Sequence, residues 1–198
     1  MKIIGLTGGI GSGKSTVANM FKLFHVPIFI ADDVSKMLLG TNEVVIAAVK
    51  DLLGEHSYTT NLDNELIPDK KYIASKVFKD VDLLKGLNAI LHPAVRTYFD
   101  DWLLKQDAPY IIYEAAILFE SGGHKRCDAV LLITTNIEER VNRVMQRDQT
   151  SREEVEARLS NQWSDIERLN LSDFVIINNN LEITKTYVSI MHDVLLNS

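Results

Sequence analysis

The sequence is poor in cysteine, has no excess of positive charge and contains no long apolar run. Cys127 is the only cysteine in 198 residues, which excludes an intrachain disulfide and a cysteine-based zinc cluster. Lysine and arginine number 21 against 27 aspartate and glutamate residues, so the formal net charge of −6 argues against general binding of DNA or anionic membranes. Apolar runs such as residues 130–133 are far shorter than the roughly 20 residues that span a bilayer. We therefore expect a soluble, cytoplasmic protein with no nucleic-acid or membrane partner.

The ten glycines are unevenly distributed, because five of them lie within nine residues: Gly5, Gly8, Gly9, Gly11 and Gly13. Followed by Lys14 and Ser15, they match the phosphate-binding pattern G-x-x-x-x-G-K-[ST]. Glycines let successive backbone N–H groups turn toward a polyphosphate, the lysine reaches the β- and γ-phosphates, and the serine hydroxyl can ligate Mg²⁺. A chance match in a flexible turn is the alternative, but a strand predicted at residues 2–6 and a helix at 15–24 provide the required context. We predict nucleotide contacts from Gly8, Gly9, Ile10, Gly11, Ser12, Gly13, Lys14, Ser15 and Thr16.

Short apolar runs predict the sheet. Strands are expected at residues 2–6, 110–113 and 129–134, with weaker candidates at 27–30 and 174–177. Polar residues do not alternate within these runs, as is typical of strands buried on both faces of a parallel sheet. Helical patterns lie between the runs, and this rhythm predicts an α/β fold with a mostly parallel β-sheet flanked by helices.

Residues 34–106 break that rhythm. Helical patterns cover most of this stretch, and a loop is expected at residues 59–64. No run within it predicts a strand, so we interpret the stretch as a helical insertion packed on the sheet. The helices are predicted at residues 44–53, 70–78, 81–91 and 94–105.

The histidines predict no metal site. His92 precedes Pro93, which is expected to start or kink a helix. Spacing alone favours a structural role for His92, although it could donate to a substrate phosphate. The others have no partner at metal-ligand spacing, and we interpret them as surface or loop residues: His25, His56, His124 and His192.

Two carboxylates follow predicted strands, where ligands bind at the carboxyl edge of a parallel sheet. Asp32 comes after the strand at 27–30 and could accept the proton of an acceptor hydroxyl, while its neighbour Asp33 would point elsewhere. The alternative is that Asp32 caps the following helix, and one side chain can do both. Glu114 follows the strand at 110–113, and it is either a ligand of Mg²⁺ or an ordinary polar strand terminus.

Six of the eight arginines lie between Arg140 and Arg168, in a segment without lysine. Arg140, Arg143 and Arg147 are spaced i, i+3 and i+7, so they share one helical face. Arginine presents a planar, permanently charged fork that suits phosphate oxygens. A solvated face paired with nearby acidic residues is the alternative. We predict phosphate contacts for Arg143 and Arg147, and a surface position for Arg140.

The sequence resembles the dephospho-coenzyme A kinase family over nearly the whole chain. Residues 5–16 look like the N-terminal signature of that family, and Ala31-Asp32 matches the end of its Asp-Ala-Asp element. Residues 87–93 match its Leu-Asn-x-x-x-His-Pro element, and residues 117–120 resemble the end of its Pro-Leu-Leu-Phe-Glu element. Further matches are the lid arginines Arg143 and Arg147, the glutamine Gln162 at the end of the lid, and the late strand leading to Asn178.

The resemblance implies a P-loop kinase core, a helical substrate-binding insertion and a helical lid. The core would be residues 1–33, 107–140 and 169–198, the coenzyme A-binding insertion 34–106 and the lid 141–168. It also implies ATP with Mg²⁺ as the donor and dephospho-CoA as the acceptor. We expect a monomer or weak homo-oligomer. The catalytic residues would be Asp32, Lys14, Arg143 and Arg147. Substrate contacts are expected from Thr7, Asp32, His92, Lys70 and Glu120, nucleotide contact from Asn178, and metal contact from Ser15 and Glu114.

The chain departs from the family pattern at three positions. Ile30 replaces the first aspartate of Asp-Ala-Asp, so Asp32 is the remaining candidate base in that element. Ala116 stands where the family has proline, and Lys70 stands where an arginine is usual, which keeps the charge without a bidentate grip. Two alternatives from the residues themselves are a P-loop kinase acting on a nucleoside or nucleotide monophosphate, and a non-catalytic, nucleotide-gated binding module.

Overall fold

A computed structural model describes residues 1–61 and 63–197. The chain divides into two compact units. One unit, the core unit, comprises Met1–Ile30 and Gln106–Ser198, and the other, the helical unit, comprises Ala31–Lys105. Across the described ranges, no helix has the length and apolar character needed to cross a membrane.

The strands and helices alternate along most of the chain. The strands are β1 (Lys2–Thr7), β2 (Ile28–Ile30), β3 (Tyr58–Thr60), β4 (Leu66–Pro68), β5 (Tyr110–Glu114), β6 (Ala129–Thr134) and β7 (Phe174–Ile177). The helices are α1 (Lys14–Lys22), α2 (Ala31–Thr41), α3 (Glu43–Leu53), α4 (Lys70–Val77), α5 (Val81–Leu103), α6 (Ile137–Asp148), α7 (Arg152–Ser160), α8 (Asp165–Leu169) and α9 (Leu181–Asn197). Short 3₁₀ turns lie at Glu55–Ser57 and Gly123–Arg126.

The core unit is built on a five-stranded parallel sheet in the order β2-β5-β1-β6-β7. This confirms the predicted α/β fold, and the bounds predicted for the strands at 129–134 and 174–177 are those observed. Leu6, Ile111 and Leu131 of the three central strands are fully buried, as strands covered on both faces require. Helices α1 and α9 cover one face with Phe21 and Val188, which join the same apolar cluster.

The strand register places the carboxyl ends of β1, β2 and β5 side by side at one edge of the sheet. Leu6 of β1 pairs with Glu114 of β5, and Ile30 of β2 pairs with the same glutamate. Because the strands are parallel, their carboxyl ends lie at this edge, which is where ligands bind in open α/β sheets. The loop predicted to bind phosphate leaves β1 there.

The helical unit contains α2–α5 and a small antiparallel hairpin of β3 and β4. The hairpin corrects the expectation that this region has no strand: Thr59 and Thr60, assigned to a loop, belong to β3, and Leu62 lies outside the described residues. Strands of three residues are too short to show a periodic pattern. The hydroxyl of Tyr58 donates a 2.8 Å hydrogen bond to the carbonyl of Leu39, which ties the hairpin to α2.

Helix α5 continues without interruption through Pro93, where a helix start or kink was predicted. Proline removes a backbone N–H and crowds the preceding turn. Packing compensates, because Leu87, Leu91, Val95 and Phe99 repeat every four residues along α5 and are all buried. The continuous apolar stripe stabilises one helix of 23 residues where two were expected.

The structure also shows the positions of His192, which was predicted wrongly from the sequence, and of Cys127, for which the sequence made no prediction. His192, expected on the surface or in a loop, is a half-buried residue of α9 whose Nδ1 lies 2.7 Å from the Tyr110 hydroxyl. Cys127 is half-buried, and its thiol donates to the carbonyl of Gly123 at 3.7 Å. Burial and the neighbouring Asp128 raise the pKa of the Cys127 thiol to about 12, so it is protonated at neutral pH.

Candidate active site

Residues 8–13 form a glycine loop between β1 and α1, as predicted from the sequence, and Lys14 and Ser15 begin α1. Gly11 and Gly13 have φ values of 78° and 90°, a backbone conformation that L side chains rarely adopt. The carbonyl of Gly9 accepts a 3.1 Å hydrogen bond from the amide of Ser12, which closes the loop. The loop therefore has the tight curvature that aims backbone amides at one anion.

The first turn of α1 is the second part of the anion site. Gly13 occupies the N-cap position and, having no side chain, leaves the amides of the first turn uncapped by that residue. The helix dipole adds partial positive charge at this end, and Lys14 adds a full charge. The Lys14 ammonium donates to the Gly8 carbonyl at 2.9 Å, so it lies over the loop. Ser15 and Thr16 are exposed in the same turn.

Two side chains hold Ile10 in the middle of the loop. Its amide donates to Oε1 of Gln162 at 2.9 Å, and its carbonyl accepts from Nε of Arg140 at 2.9 Å. The predicted surface position of Arg140 is wrong, because this residue is only 5% exposed and its guanidinium also binds Asp165 at 2.9 Å. Helical spacing showed which face Arg140 shares, but not which structure that face packs against.

The two predicted lid arginines are paired with carboxylates. Arg143 donates from Nη2 to the Asn178 carbonyl at 3.0 Å, and its Nε lies 3.2 Å from Glu139. Arg147 is more open, with a side chain 63% exposed, and binds Asp148 at 2.7 Å. Hydrogen bonds from the Arg147 and Arg158 guanidinium groups hold the pKa of Asp148 below its usual range. The pairing of these arginines with nearby acidic residues, which was the alternative considered from the sequence, is therefore present. The paired Arg147 guanidinium on α6 stays exposed.

Asn178 supports the loop directly. It is 4% exposed, and its side-chain amide donates to the Ser12 carbonyl at 2.9 Å while its side-chain oxygen accepts from the Thr184 hydroxyl at 3.0 Å. A Cβ added at Gly13 would lie 2.1 Å from the Asn178 amide nitrogen, so the two residues are in close contact. The structure thus places Asn178 beneath the phosphate loop, with its side chain occupied by protein partners.

Three predicted residues lie in or close to the sheet. Glu114 ends β5 and is 3% exposed. Thr7 ends β1 and is fully buried beneath the loop. Glu120 binds Nη2 of the fully buried Arg168 at 3.0 Å, and its second oxygen is also buried. Direct substrate contact by Thr7 or Glu120 stays a prediction, since their side chains are turned into the protein.

The remaining predicted residues belong to the helical unit. Asp32 is the second residue of α2, which starts immediately after β2, so it lies inside the first helical turn and not at the N-cap. Asp33 is exposed and binds Lys36 at 2.9 Å, so the two neighbouring aspartates lie in different surroundings. Lys70 is the exposed first residue of α4. His92 is half-buried in α5, where burial and nearby Arg96 lower its pKa, so it is neutral at pH 7.

The residues that sequence reasoning missed connect α8 to the phosphate loop. Asp165 binds Arg140 and accepts a hydrogen bond from the hydroxyl of Thr134 at the end of β6. Arg168 lies 3.6 Å from Asp165 and also donates to the Trp163 carbonyl at 2.6 Å. The concentration of arginine in this segment was the available signal, but it indicated phosphate binding and not support of the loop.

The donor atoms near the loop are oxygens. The Ser15 hydroxyl and the Glu114 carboxylate are hard ligands of the kind Mg²⁺ prefers, and Mg²⁺ commonly takes only one or two protein ligands besides phosphate oxygens and water. Within residues 1–61 and 63–197, no cluster of three or more histidine, cysteine, aspartate or glutamate side chains could hold a metal alone. The donor set fits a cation that arrives with nucleotide phosphates better than a permanently bound metal.

The parallel sheet, the glycine loop between β1 and α1, and the arginine-bearing helices after β6 define a P-loop kinase fold. The Dephospho-CoA kinase family model matches residues 2–184. The chain therefore belongs to the dephospho-CoA kinase family.

Individual relatives are similar to this chain over most of its length. A curated protein of Bacteroides fragilis named dephospho-CoA kinase is 36% identical over 176 residues, which cover 88% of this chain and 83% of that relative. The crystal structure of TT1252 from Thermus thermophilus is 33% identical, with a TM-score of 0.84 over 98% of this chain and 96% of that one. The structure of dephospho-CoA kinase from Campylobacter jejuni shares the fold, with a TM-score of 0.69 at 24% identity and coverage of 97% and 96%.

Proposed function

We propose that this protein transfers the γ-phosphoryl group of ATP to the ribose 3′-hydroxyl of dephospho-CoA, giving coenzyme A. The observation that carries the donor half is the glycine loop at the N-terminus of α1 with Lys14 placed over it. Membership of the dephospho-CoA kinase family supports the acceptor half. The reaction is an in-line displacement in which the protein positions the two oxygens and stabilises the transferring group.

On the donor side, the loop and the first turn of α1 hold the β- and γ-phosphates. The amides of Ile10 and Ser12 are committed to protein acceptors, so other amides of residues 8–15 and the Lys14 ammonium supply the contacts. Mg²⁺ supplies charge neutralisation when it is bound with the nucleotide, and Ser15 and Glu114 are the residues we assign to it.

On the acceptor side, we assign the proton of the 3′-hydroxyl to Asp32. The first turn of α2 places this carboxylate at the positive end of the helix dipole. An ionised carboxylate can orient the hydroxyl and accept its proton as the new bond forms. We assign the remainder of the acceptor to the helical unit, with His92 and Lys70 as candidate contacts.

Arg143 and Arg147 are proposed to stabilise negative charge on the transferring phosphoryl group. Both lie on α6, and their guanidinium groups now bind carboxylates or a carbonyl. A phosphate oxygen can replace one of these acceptors. We assign the lid to residues 141–168. Gln162 and Asp165 near its end keep their contacts with the loop and with α6, while rearrangement of the part that carries the two arginines would bring them to the phosphates and exclude water.

The test is a coupled assay of ADP release with dephospho-CoA as the only acceptor. The proposal expects ADP release that depends on dephospho-CoA and a product carrying a 3′-phosphate, identified by mass spectrometry. A panel of nucleosides and nucleoside monophosphates serves as the control for another P-loop kinase. Turnover of a panel member without turnover of dephospho-CoA would overturn the proposed acceptor, and nucleotide binding without any turnover would indicate a binding module.

A further inference from the structure

Ile10 is gripped on both of its backbone polar groups by side chains from elsewhere in the core unit. Gln162, between α7 and α8, accepts from its amide, and Arg140 of α6 donates to its carbonyl, each at 2.9 Å. The two partners are 152 and 130 residues away along the chain. These two contacts fix the orientation of the two successive peptide groups on either side of Ile10, inside the segment proposed to bind phosphate.

The covalent geometry makes this orientation important. A trans peptide is planar, with its C=O and the following N–H pointing in opposite directions. Because the Ile10 carbonyl points at Arg140, the amide of Gly11 points away from Arg140. Arg140 therefore sets the direction of the Gly11 amide through the peptide group that joins Ile10 to Gly11. If this peptide group were rotated, the Gly11 amide could no longer donate to the phosphates.

The Arg140 side chain is rigidly anchored for this purpose. It is buried, and its Nη1 binds Asp165, whose other oxygen accepts from the Thr134 hydroxyl. Asp165 also lies 3.6 Å from buried Arg168, which in turn binds Glu120. Two guanidinium groups and two carboxylates thus alternate, so the buried charges are balanced.

The loop sequence is complementary to this arginine. A Cβ at Gly9 would lie 1.8 Å from Nη2 of Arg140, and a Cβ at Gly11 would lie 2.5 Å from the Arg140 carbonyl oxygen. Glycine at these two positions therefore serves contact with Arg140 as well as curvature around phosphate. No other residue type fits against the guanidinium without moving it.

We propose that Arg140 is a positioning residue for ATP, acting through the Ile10 peptide and held by Asp165. It differs in role from Arg143 and Arg147, which are assigned to the phosphoryl group itself. The inference rests on the proposed function only in taking ATP as the ligand of residues 8–15. Loss of Arg140 is expected to weaken nucleotide binding selectively, because the acceptor is assigned to other residues.

The test measures ADP and dephospho-CoA binding separately by calorimetry, with and without Mg²⁺, and then KM and kcat for each substrate. Arg140→Gln is expected to weaken ADP binding by about 10- to 100-fold, the scale of one lost hydrogen bond to a charged phosphate. Binding of dephospho-CoA is expected to stay within about twofold, and Arg140→Lys to recover part of the loss because it keeps one donor. The matched control is Arg126→Gln, an exposed arginine of the Gly123–Arg126 turn outside the proposed lid, which should change neither the ADP nor the dephospho-CoA dissociation constant.

Asp165→Asn keeps α8 and its volume while removing the charge that anchors Arg140, and is expected to weaken ADP binding in the same direction. This variant keeps the proposal testable if Arg140→Gln does not fold, as judged by urea unfolding. Unchanged ADP affinity in a folded variant, or equal losses for ADP and dephospho-CoA, would overturn it. Because ADP binding is measured without turnover, failure of the proposed reaction in the wild-type protein would be seen separately.

Discussion

The side-chain amide of Asn178 donates a 2.9 Å hydrogen bond to the backbone carbonyl of Ser12, which lies 166 residues earlier in the chain. The same side chain accepts from the buried hydroxyl of Thr184. Asn178, which directly follows the last strand, thereby holds both the phosphate loop after the first strand and the start of the final helix.

Replacing Asn178 with alanine is expected to lower the free energy of unfolding by about 1–3 kcal/mol, because the Ser12 carbonyl loses its buried donor. Urea denaturation at neutral pH measures this loss. Asn19→Ala, on the exposed side of α1, is the control and should change stability by less than about 0.5 kcal/mol. An equal effect of the two substitutions would contradict a supporting role for Asn178.

Asp32→Asn is expected to lower kcat by about 10²- to 10⁴-fold, because the amide cannot accept the hydroxyl proton. Steady-state kinetics with ATP and dephospho-CoA measure this loss, and binding of each substrate should be retained. Asp33→Asn, which removes the neighbouring exposed carboxylate paired with Lys36, should leave kcat near that of the wild type. If Asp32→Asn turned over at nearly the normal rate, the base would have to be another group.

Arg147→Gln is expected to reduce kcat by about 10³-fold, by analogy with arginines that stabilise phosphoryl-transfer transition states. Arg147→Lys should recover little of the loss, since the ammonium keeps the charge but lacks the fork. Single-turnover kinetics at saturating substrates separate this effect from binding. Arg158→Gln removes the other partner of Asp148 and should leave the chemical step within a few-fold of the wild type, so equal losses at both positions would refute the assignment.

His92 is expected to make the protein less stable in mild acid. Its folded pKa is below the ordinary value of 6.5, so as pH falls through about 6.5 the unfolded chain takes up a proton that the folded chain does not. The contribution of neutral His92 to the free energy of unfolding is therefore present above about pH 6.5 and is lost as the pH falls below it. Urea unfolding at pH 7.5 and 5.5 should show a smaller acid loss in His92→Gln than in the wild type, and parallel losses would exclude His92 as the cause.

The elements with strong local patterns were predictable. Each unbroken apolar run that predicted a strand is a strand of the central sheet. For the three central strands the reason is burial on both faces, which leaves no room for polar residues between the apolar ones. The loop at residues 8–15 was predictable because its chemistry restricts residue type at fixed spacing. The three-residue strands β3 and β4 and the continuation of α5 through Pro93 depend on packing between distant segments, which no local window contains.

The site was predictable only in part for the same reason. Lys14 and Asp32 are marked by their positions after strands, whereas Arg140 looks like one of several charged residues on a helix that carries equal numbers of acidic and basic side chains. Its contacts with Ile10 and Asp165 span 130 and 25 residues. Such pairings are a property of tertiary structure, so a helical wheel cannot distinguish a buried arginine in α6 from an exposed one.

The distance along the chain between the phosphate loop and its supports bears on the order in which the protein is made. Translation produces residues 8–15 first, and domains fold as their segments leave the ribosome. Arg140, Gln162 and Asn178 emerge later, the last only twenty residues before the end of this sequence. During synthesis the loop therefore exists without the contacts that shape it, and a chain cut short before Asn178 would carry the complete motif but lack its support.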